Sequence, residues 1–222
     1  MVPLGVRLDG TKELIALAEG LRESTESWAD LLRDCRRRGM RDPELVIGES
    51  AMGLWGPSPR CSPRPSRRDA GFTKPARHLP PAQIRPATKA MQEIYNAESR
   101  THADKAIEAF ARNYGAKFPN AVAKITEDRD ELLAFYDFPA EHWIHLRTTK
   151  PIKSTFSAVE LRTKVTRGAV SQAAGLAMVF KLVESAQARW RAITWAQLVP
   201  LVRAGAKFEN GQLAARPKTT AA

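Results

Sequence analysis

Between residues 83 and 203 apolar side chains recur at the three- and four-residue intervals of helix faces. Met91, Ile94 and Tyr95 form one stripe, and Ile107, Phe110 and Tyr114 form another. The runs ITEDRDELLAFYDF and EHWIHLR continue the pattern. GLAMVFKLVESAQARW is the most apolar, with Leu176, Val179, Phe180 and Val183 on one side. A strand would alternate every second residue, so this period commits more than half of the chain to helices that share a core. Stripes of this kind are packing faces rather than cofactor boxes. With 222 residues, the chain is long enough for one large domain or two small ones.

The first 55 residues follow another pattern. PLGVRL and ELIALAE are short β-prone runs around Asp9-Gly10, a hairpin signal. STESWADLLRDCRRRG predicts a helix capped by Ser24 or Thr25. Acids lie in its first turn, Arg36 to Arg38 meet its negative end, and Gly39 closes it. Trp28, Leu31, Leu32 and Cys35 share one face, which makes Cys35 a packing residue. ELVIG then predicts a short buried strand that ends at Glu49-Ser50. A carboxylate just past the end of a strand is where α/β folds hold ligands and metals, although a lone Glu there is ordinarily a solvated loop residue.

Residues 56–77, GPSPRCSPRPSRRDAGFTKPAR, break both patterns. Five prolines and six basic residues stand there with one acid and no periodicity, which predicts irregular backbone. A basic arm gripping phosphates is the functional alternative. Residues from about 204 onward are expected to fray.

Charge narrows the function classes. Lys+Arg number 35 against 24 Asp+Glu, a formal net charge of +11 and a pI near 10.0, while the mean hydropathy of −0.37 is ordinary. Two explanations fit this excess equally: a solvated basic surface, or a polyanion partner such as nucleic acid. The longest apolar run, Gly175 to Phe180, is far too short to span a bilayer, and the start at Met1 lacks the pattern of a secretory signal. Cys35 and Cys61 have no metal-ligand spacing and are read as reduced thiols in a cytoplasm. His102, His142 and His145 form no clear metal set and are expected on the surface. Basic residues concentrate late: from Glu141 to Arg191 there are nine Lys or Arg and three acids. Arg147, Lys150, Lys153, Arg162, Lys164 and Arg167 cluster there, with Thr148, Thr149 and Thr166 as hydroxyl donors, a set suited to a phosphate backbone.

Within that cluster RTTKPIKSTF is anomalous. Pro151, with Ile152, Phe156 and Val159, predicts a helix that opens at the proline and turns those apolar residues inward. Lys150 then falls at the N-cap and Lys153 at the third helical position. Both sites favour side chains that accept hydrogen bonds from orphan N–H groups, and the positive helix end disfavours cations.

RESTESWADLLRDCRRRGM, LLAFYDFPAEHW, LRTTKPIKSTF and LAMVFKLVESAQ resemble the Mutator-type transposases of bacterial insertion sequences. The similarity covers nearly the whole chain except residues 56–77. It implies a ribonuclease-H-like core with a large all-helical insertion before its last acidic residue. Three carboxylates would there hold two divalent metals, Mg²⁺ by implication, for DNA cleavage and strand transfer at element ends. The first Asp belongs to a strand upstream of this sequence and is expected to be missing. The second stands where this chain has Gly48-Glu49. The third is the Glu of a TTNPIEST pattern, which here reads TTKPIKST. Lys150 therefore replaces a capping Asn, and Lys153 replaces a metal-binding Glu. A Trp-Val-His-Lys-Thr stretch of the family, read one base later, becomes Gly-Phe-Thr-Lys-Pro, the sequence of Gly71 to Pro75. Residues 56–78 then read as a frameshifted window.

The resemblance thus implies an α/β remnant of the core in residues 1–55, a helical insertion over 79–147, C-terminal helices over 148–203 and a flexible tail over 204–222, mostly α overall. It implies a metal site that is no longer intact, with Lys153 facing Glu49 as an ion pair if the core survives. DNA is the implied partner, contacted by Arg147, Lys150, Arg162, Lys164 and Arg167. Oligomers with itself or with a full-length transposase are a further implication, as is a cytoplasmic, nucleoid-associated location. The alternative reading is a non-catalytic module that binds DNA or joins hetero-oligomers.

Overall fold

The computed structural model describes residues 1–18, 24–48, 66–69, 80–147, 149–165 and 171–215. In chain order the strands and helices are β1 (Leu4–Val6), β2 (Lys12–Leu14), α1 (Thr25–Arg37), β3 (Leu45–Gly48) and β4 (Ser66–Asp69). The helical run continues with α2 (Pro81–Asn96), α3 (Arg100–Tyr114), α4 (Pro119–Glu127), α5 (Arg129–Leu133) and α6 (Trp143–Leu146). Then come α7 (Lys150–Val165), α8 (Gln172–Gln187), α9 (Val199–Arg203), β5 (Lys207–Glu209) and β6 (Gln212–Ala215). Helices dominate, as their period requires. The chain divides into two compact units. The described part of one lies within residues 1–44 and 149–204, and that of the other within 45–48, 66–147 and 205–215.

In the first unit β1 and β2 form the antiparallel hairpin that Asp9-Gly10 signals, with Val6 opposite Lys12. Gly10 takes a φ of +79°, and the Asp9 carboxylate accepts from both the amide and the hydroxyl of Thr11. Among the described residues of ELIALAE, only Glu13 and Leu14 are strand, as part of β2. Helix α1 begins as its sequence predicts: the Ser24 hydroxyl accepts from Ser27 N, and Gly39, at φ +98°, closes it. Its face buries Trp28, Leu31 and Cys35 against Ala16. Helix α8 packs on the hairpin, where Gln187 Oε1 accepts from Leu14 N at 2.8 Å. In the same unit Arg203 donates to Asp42 O and pairs with Glu44 at 2.9 Å.

The second unit holds the larger core. Met91 and Ile94 of α2, Ile107 and Phe110 of α3, Ile125 of α4, and Leu132 and Leu133 of α5 are all buried together with Phe135 and Tyr136. Tyr95 and Tyr114 pack at its edge. Ser99 caps α3 by accepting from His102 N.

Several expectations change. Residues 66–69, inside the stretch read as irregular, form β4, which pairs in parallel with the half-buried β3 and places Asp69 beside Gly48. Strand pairing is made by backbone groups, so a Pro- and Arg-rich composition does not forbid it over four residues. The other residues of 56–78 lie outside the described residues, apart from this strand, as does Cys61. The tail read as flexible contains a second hairpin. Lys207–Glu209 and Gln212–Ala215 pair around Asn210-Gly211, with φ values of +49° and +81°. Asn-Gly in a two-residue connection is a strong hairpin signal because both positions require left-handed backbone. Residues 216–222 lie outside the described residues. His142, expected on the surface, is 4% exposed, whereas His102 is exposed and His145 half-buried.

Candidate functional site

Helix α7 carries the anomalous lysines. The carbonyl of Thr149 accepts from both Ile152 N and Lys153 N at 3.1 Å, so Thr149 holds the N-cap position. This shifts the expected frame by one residue: Lys150 is the first helical residue and Lys153 the fourth. The electrostatic anomaly persists, because Lys153 still lies at the positive end of the helix. Its side chain is exposed. The last turn holds Arg162 and Lys164, both exposed, where the helix dipole favours cations. Lys153 and Lys164 share one face about three turns apart, and Arg162 projects from the other side.

The inward face of α7 is not the expected stripe. Val159 is buried and Ile152 half-buried, but Phe156 is 36% exposed and Thr155 is buried in its stead. At 100° per residue, positions 152, 155 and 159 span an arc as narrow as 152, 156 and 159 do, so the period admits either set and packing selects the first. On α8, Val183 is buried and Val179 half-buried, while Leu176 and Phe180 are exposed. Four large apolar side chains, Phe156, Leu161, Leu176 and Phe180, are therefore at the surface of these two helices.

Arg147, expected on phosphates, lies in the aromatic cluster built by the FYDFPAEHW segment. Its guanidinium carbon is 4.5 Å from the Phe135 ring centroid, 4.9 Å from Trp143 and 5.4 Å from Tyr95. Trp143 meets Phe135 and Tyr136 edge-on, and its Nε1 donates to Phe138 O at 2.9 Å. The Tyr136 hydroxyl donates to Ala97 O at 2.7 Å. Burial pushes the Arg147 pKa below its ordinary value, and its buried Nε has no hydrogen-bond partner among the described residues. This cation thus supports a core by stacking on rings. The β5–β6 hairpin docks on the same segment: Gly211 N donates to Tyr136 O, and Ala140 N donates to Gly211 O, both at 3.1 Å.

Glu49 and Arg167 lie outside the described residues, as do the side chain of Lys150 and the residues Thr148 and Thr166, so the Glu49–Lys153 pair is not placed. Among the described residues no three His, Cys, Asp or Glu side chains come together as a metal site. An ammonium at Lys153 offers no lone pair and repels a cation, so this side chain cannot itself be a ligand of a divalent metal. Among the described residues no helix is long and apolar enough to cross a membrane.

A helical chain with a parallel strand pair, a strongly basic charge and the FYDFPAEHW segment matches the family described as "Transposase, Mutator family" over residues 1–193. The chain belongs to that family. It is 56% identical over 220 residues to the transposase for insertion sequence element IS6120 of Mycolicibacterium smegmatis, an alignment covering 98% of this chain and 68% of that protein. It is 45% identical over 215 residues to the IST2 transposase of Acidithiobacillus ferrooxidans, covering 95% and 73%. A more distant relative, the ISRM5 transposase of Rhizobium meliloti, is 23% identical over 170 residues, covering 75% and 43%.

Proposed function

We propose that this chain is an insertion-sequence transposase that binds DNA but is impaired in strand cleavage and joining. The observation that carries this reading is Lys153, an exposed cation in the opening of α7. There the family resemblance implies a metal-binding Glu within a ribonuclease-H-like, three-carboxylate site. A second change lies at Glu49, where the same resemblance implies Asp. Its extra methylene displaces the carboxylate by more than Mg²⁺ geometry readily accepts. Phosphate binding falls to Lys150, Arg162, Lys164 and Arg167. Net charge supports this role, and the burial of Arg147 against aromatic rings argues for a structural task there instead.

The test is incubation of the purified chain with terminal-repeat DNA and Mg²⁺ or Mn²⁺. Neither nicks nor joined products are expected, while a mobility shift that weakens steeply with salt is. Metal-dependent nicking that disappears in Glu49→Ala would overturn the impairment. Binding that barely changes between low and moderate salt would overturn the phosphate contacts.

A second reading, assembly with another transposase chain, is favoured by Phe156, Leu161, Leu176 and Phe180 at the surface of α7 and α8. Co-expression with a tagged full-length relative checks it, and Phe156→Ser with Phe180→Ser should abolish any co-purification.

A further inference from the structure

Residues 187–193, which lead out of α8, are laid beside β2 by three hydrogen bonds. Gln187 Oε1 accepts from Leu14 N at 2.8 Å, Arg191 O accepts from Lys12 Nζ at 3.0 Å, and Ile193 N donates to Gly10 O at 2.9 Å. The partners ascend along this segment as they descend along the hairpin, so the two run antiparallel. Arg189 stands between the first two anchors and Arg191 carries the second. Residues 179 positions apart in the sequence, Lys12 and Arg191, are thereby held together.

The three cations gathered here have no acid to answer them. Among the described residues Lys12, Arg189 and Arg191 make no ion pair, and no acid occurs between Glu184 and Glu209. The acids near by are engaged: Glu13 with Arg7, Glu184 with Lys181, and Asp9 with Thr11. Lys12 is half-buried, and burial pushes its ammonium below the ordinary pKa with no carboxylate to oppose the shift. Drawing a charge partly out of water without a counter-ion costs free energy, and one carbonyl dipole offsets only part of it. A neutral donor would tie the segment to the strand without that cost, so the charge at Lys12 calls for an anion.

The residue types say which anion. Arg189 and Arg191 are exposed, and a guanidinium presents its donors in a rigid fork that matches phosphate oxygens. Cations strung along a segment suit the repeated phosphates of a polyanion, and a duplex carries its phosphates outermost. The distribution of charge agrees. Residues 149–204 hold nine Lys or Arg against two acids, whereas residues 80–147 hold nine against ten. The excess that attracts a polyanion therefore belongs to the unit that contains this segment, not to the helical one.

We propose that Lys12, Arg189 and Arg191 form a contact surface for the phosphate backbone of duplex DNA, in addition to the cations of α7. This rests on the reading of the chain as a DNA-binding transposase and adds to it a second place where the duplex is held. The experiment measures fluorescence anisotropy of the full chain on two labelled duplexes of equal length, one of terminal-repeat sequence and one scrambled, over a series of salt concentrations. Lys12→Met, which keeps the aliphatic stem, should lower the slope of log affinity against log salt by about 1, and Arg189→Gln with Arg191→Gln by about 2. Both variants should weaken the two duplexes alike, because phosphates carry no sequence. Arg112→Gln with Lys117→Gln, which removes two exposed cations of the helical unit, should leave the slope unchanged. If Lys12→Met lowers the melting temperature, the arginine variant decides alone, since its side chains are exposed. An unchanged slope in the arginine variant or in a folded Lys12→Met, or an equal fall in the Arg112 and Lys117 variant, overturns the proposal while leaving the DNA reading intact. Failure of the wild type to bind either duplex overturns both.

Discussion

Two glycines of the helical unit share one backbone conformation but not one environment, which allows steric crowding to be separated from backbone strain. Gly205 has φ +83° and would meet nothing within 4 Å if it carried a Cβ. Gly211, at φ +81°, would place that Cβ 2.5 Å from the Ala140 Cβ, 2.8 Å from Trp143 Cζ2 and 2.9 Å from the Ala140 Cα. Alanine at either position costs about 1–2 kcal/mol for the left-handed backbone. Each substitution also recovers about 0.4–1 kcal/mol by restricting the unfolded chain. These two effects cancel between the variants. What remains at Gly211 is overpacking against a backbone atom and a ring, neither of which can rotate aside, worth about 1–3 kcal/mol. Gly211→Ala is therefore expected to be less stable than Gly205→Ala by that amount. Hairpin displacement would also weaken the bonds from Gly211 N to Tyr136 O and from Ala140 N to Gly211 O. Native-state amide exchange over residues 132–146 measures the opening free energy of this unit directly, without assuming that the whole chain unfolds in one step. Equal protection in the two variants, within about 0.5 kcal/mol, would refute the docking of the β5–β6 turn on the FYDFPAEHW segment.

Arg147→Lys should destabilise the helical unit by about 1–2 kcal/mol in urea unfolding, because an ammonium cannot stack its plane on Phe135 and Trp143 as a guanidinium does. Ser24→Ala should cost about 1 kcal/mol by removing the acceptor for Ser27 N, seen as faster amide exchange in the first turn of α1. At Asp9 the Thr11 hydroxyl and amide hold the carboxyl below its ordinary pKa. Its stabilisation of the hairpin is thus present above the unfolded carboxylate value and lost as pH falls through the lower folded one. The Thr11 amide resonance, followed by NMR, should move only in that acidic window, and Asp9→Asn should abolish the movement.

Local signals proved sufficient where the physics is local. Ser24 caps α1 because a hydroxyl one residue ahead of the helix reaches its orphan amides. Asp9-Gly10 turns β1 into β2 because glycine tolerates the positive φ. Met91, Ile94, Ile107 and Phe110 are buried because their period admits one inward face. Asn210-Gly211 is equally readable as a hairpin, although the Gly, Lys and Ala of the stretch from about 204 onward point to fraying.

Contacts made across sequence distance were decided by tertiary structure alone. Residues 66–69 become a strand because β3 offers unpaired backbone groups alongside, which no side-chain pattern in a Pro- and Arg-rich segment announces. Arg147 looks like its basic neighbours in the sequence, yet the rings of Tyr95, Phe135 and Trp143 converge on it only after α2 and the FYDFPAEHW segment pack together. Phe156, expected inward, lies at the surface while Thr155 is buried, because the line of burial on α7 is set by what the helix packs against, and one residue of offset turns the face by 100°. The sequence by itself carries the family, the helix period, the caps and the lysine at position 153. Which cations meet aromatic rings follows from long-range packing, because burial belongs to the assembled core and not to the residue.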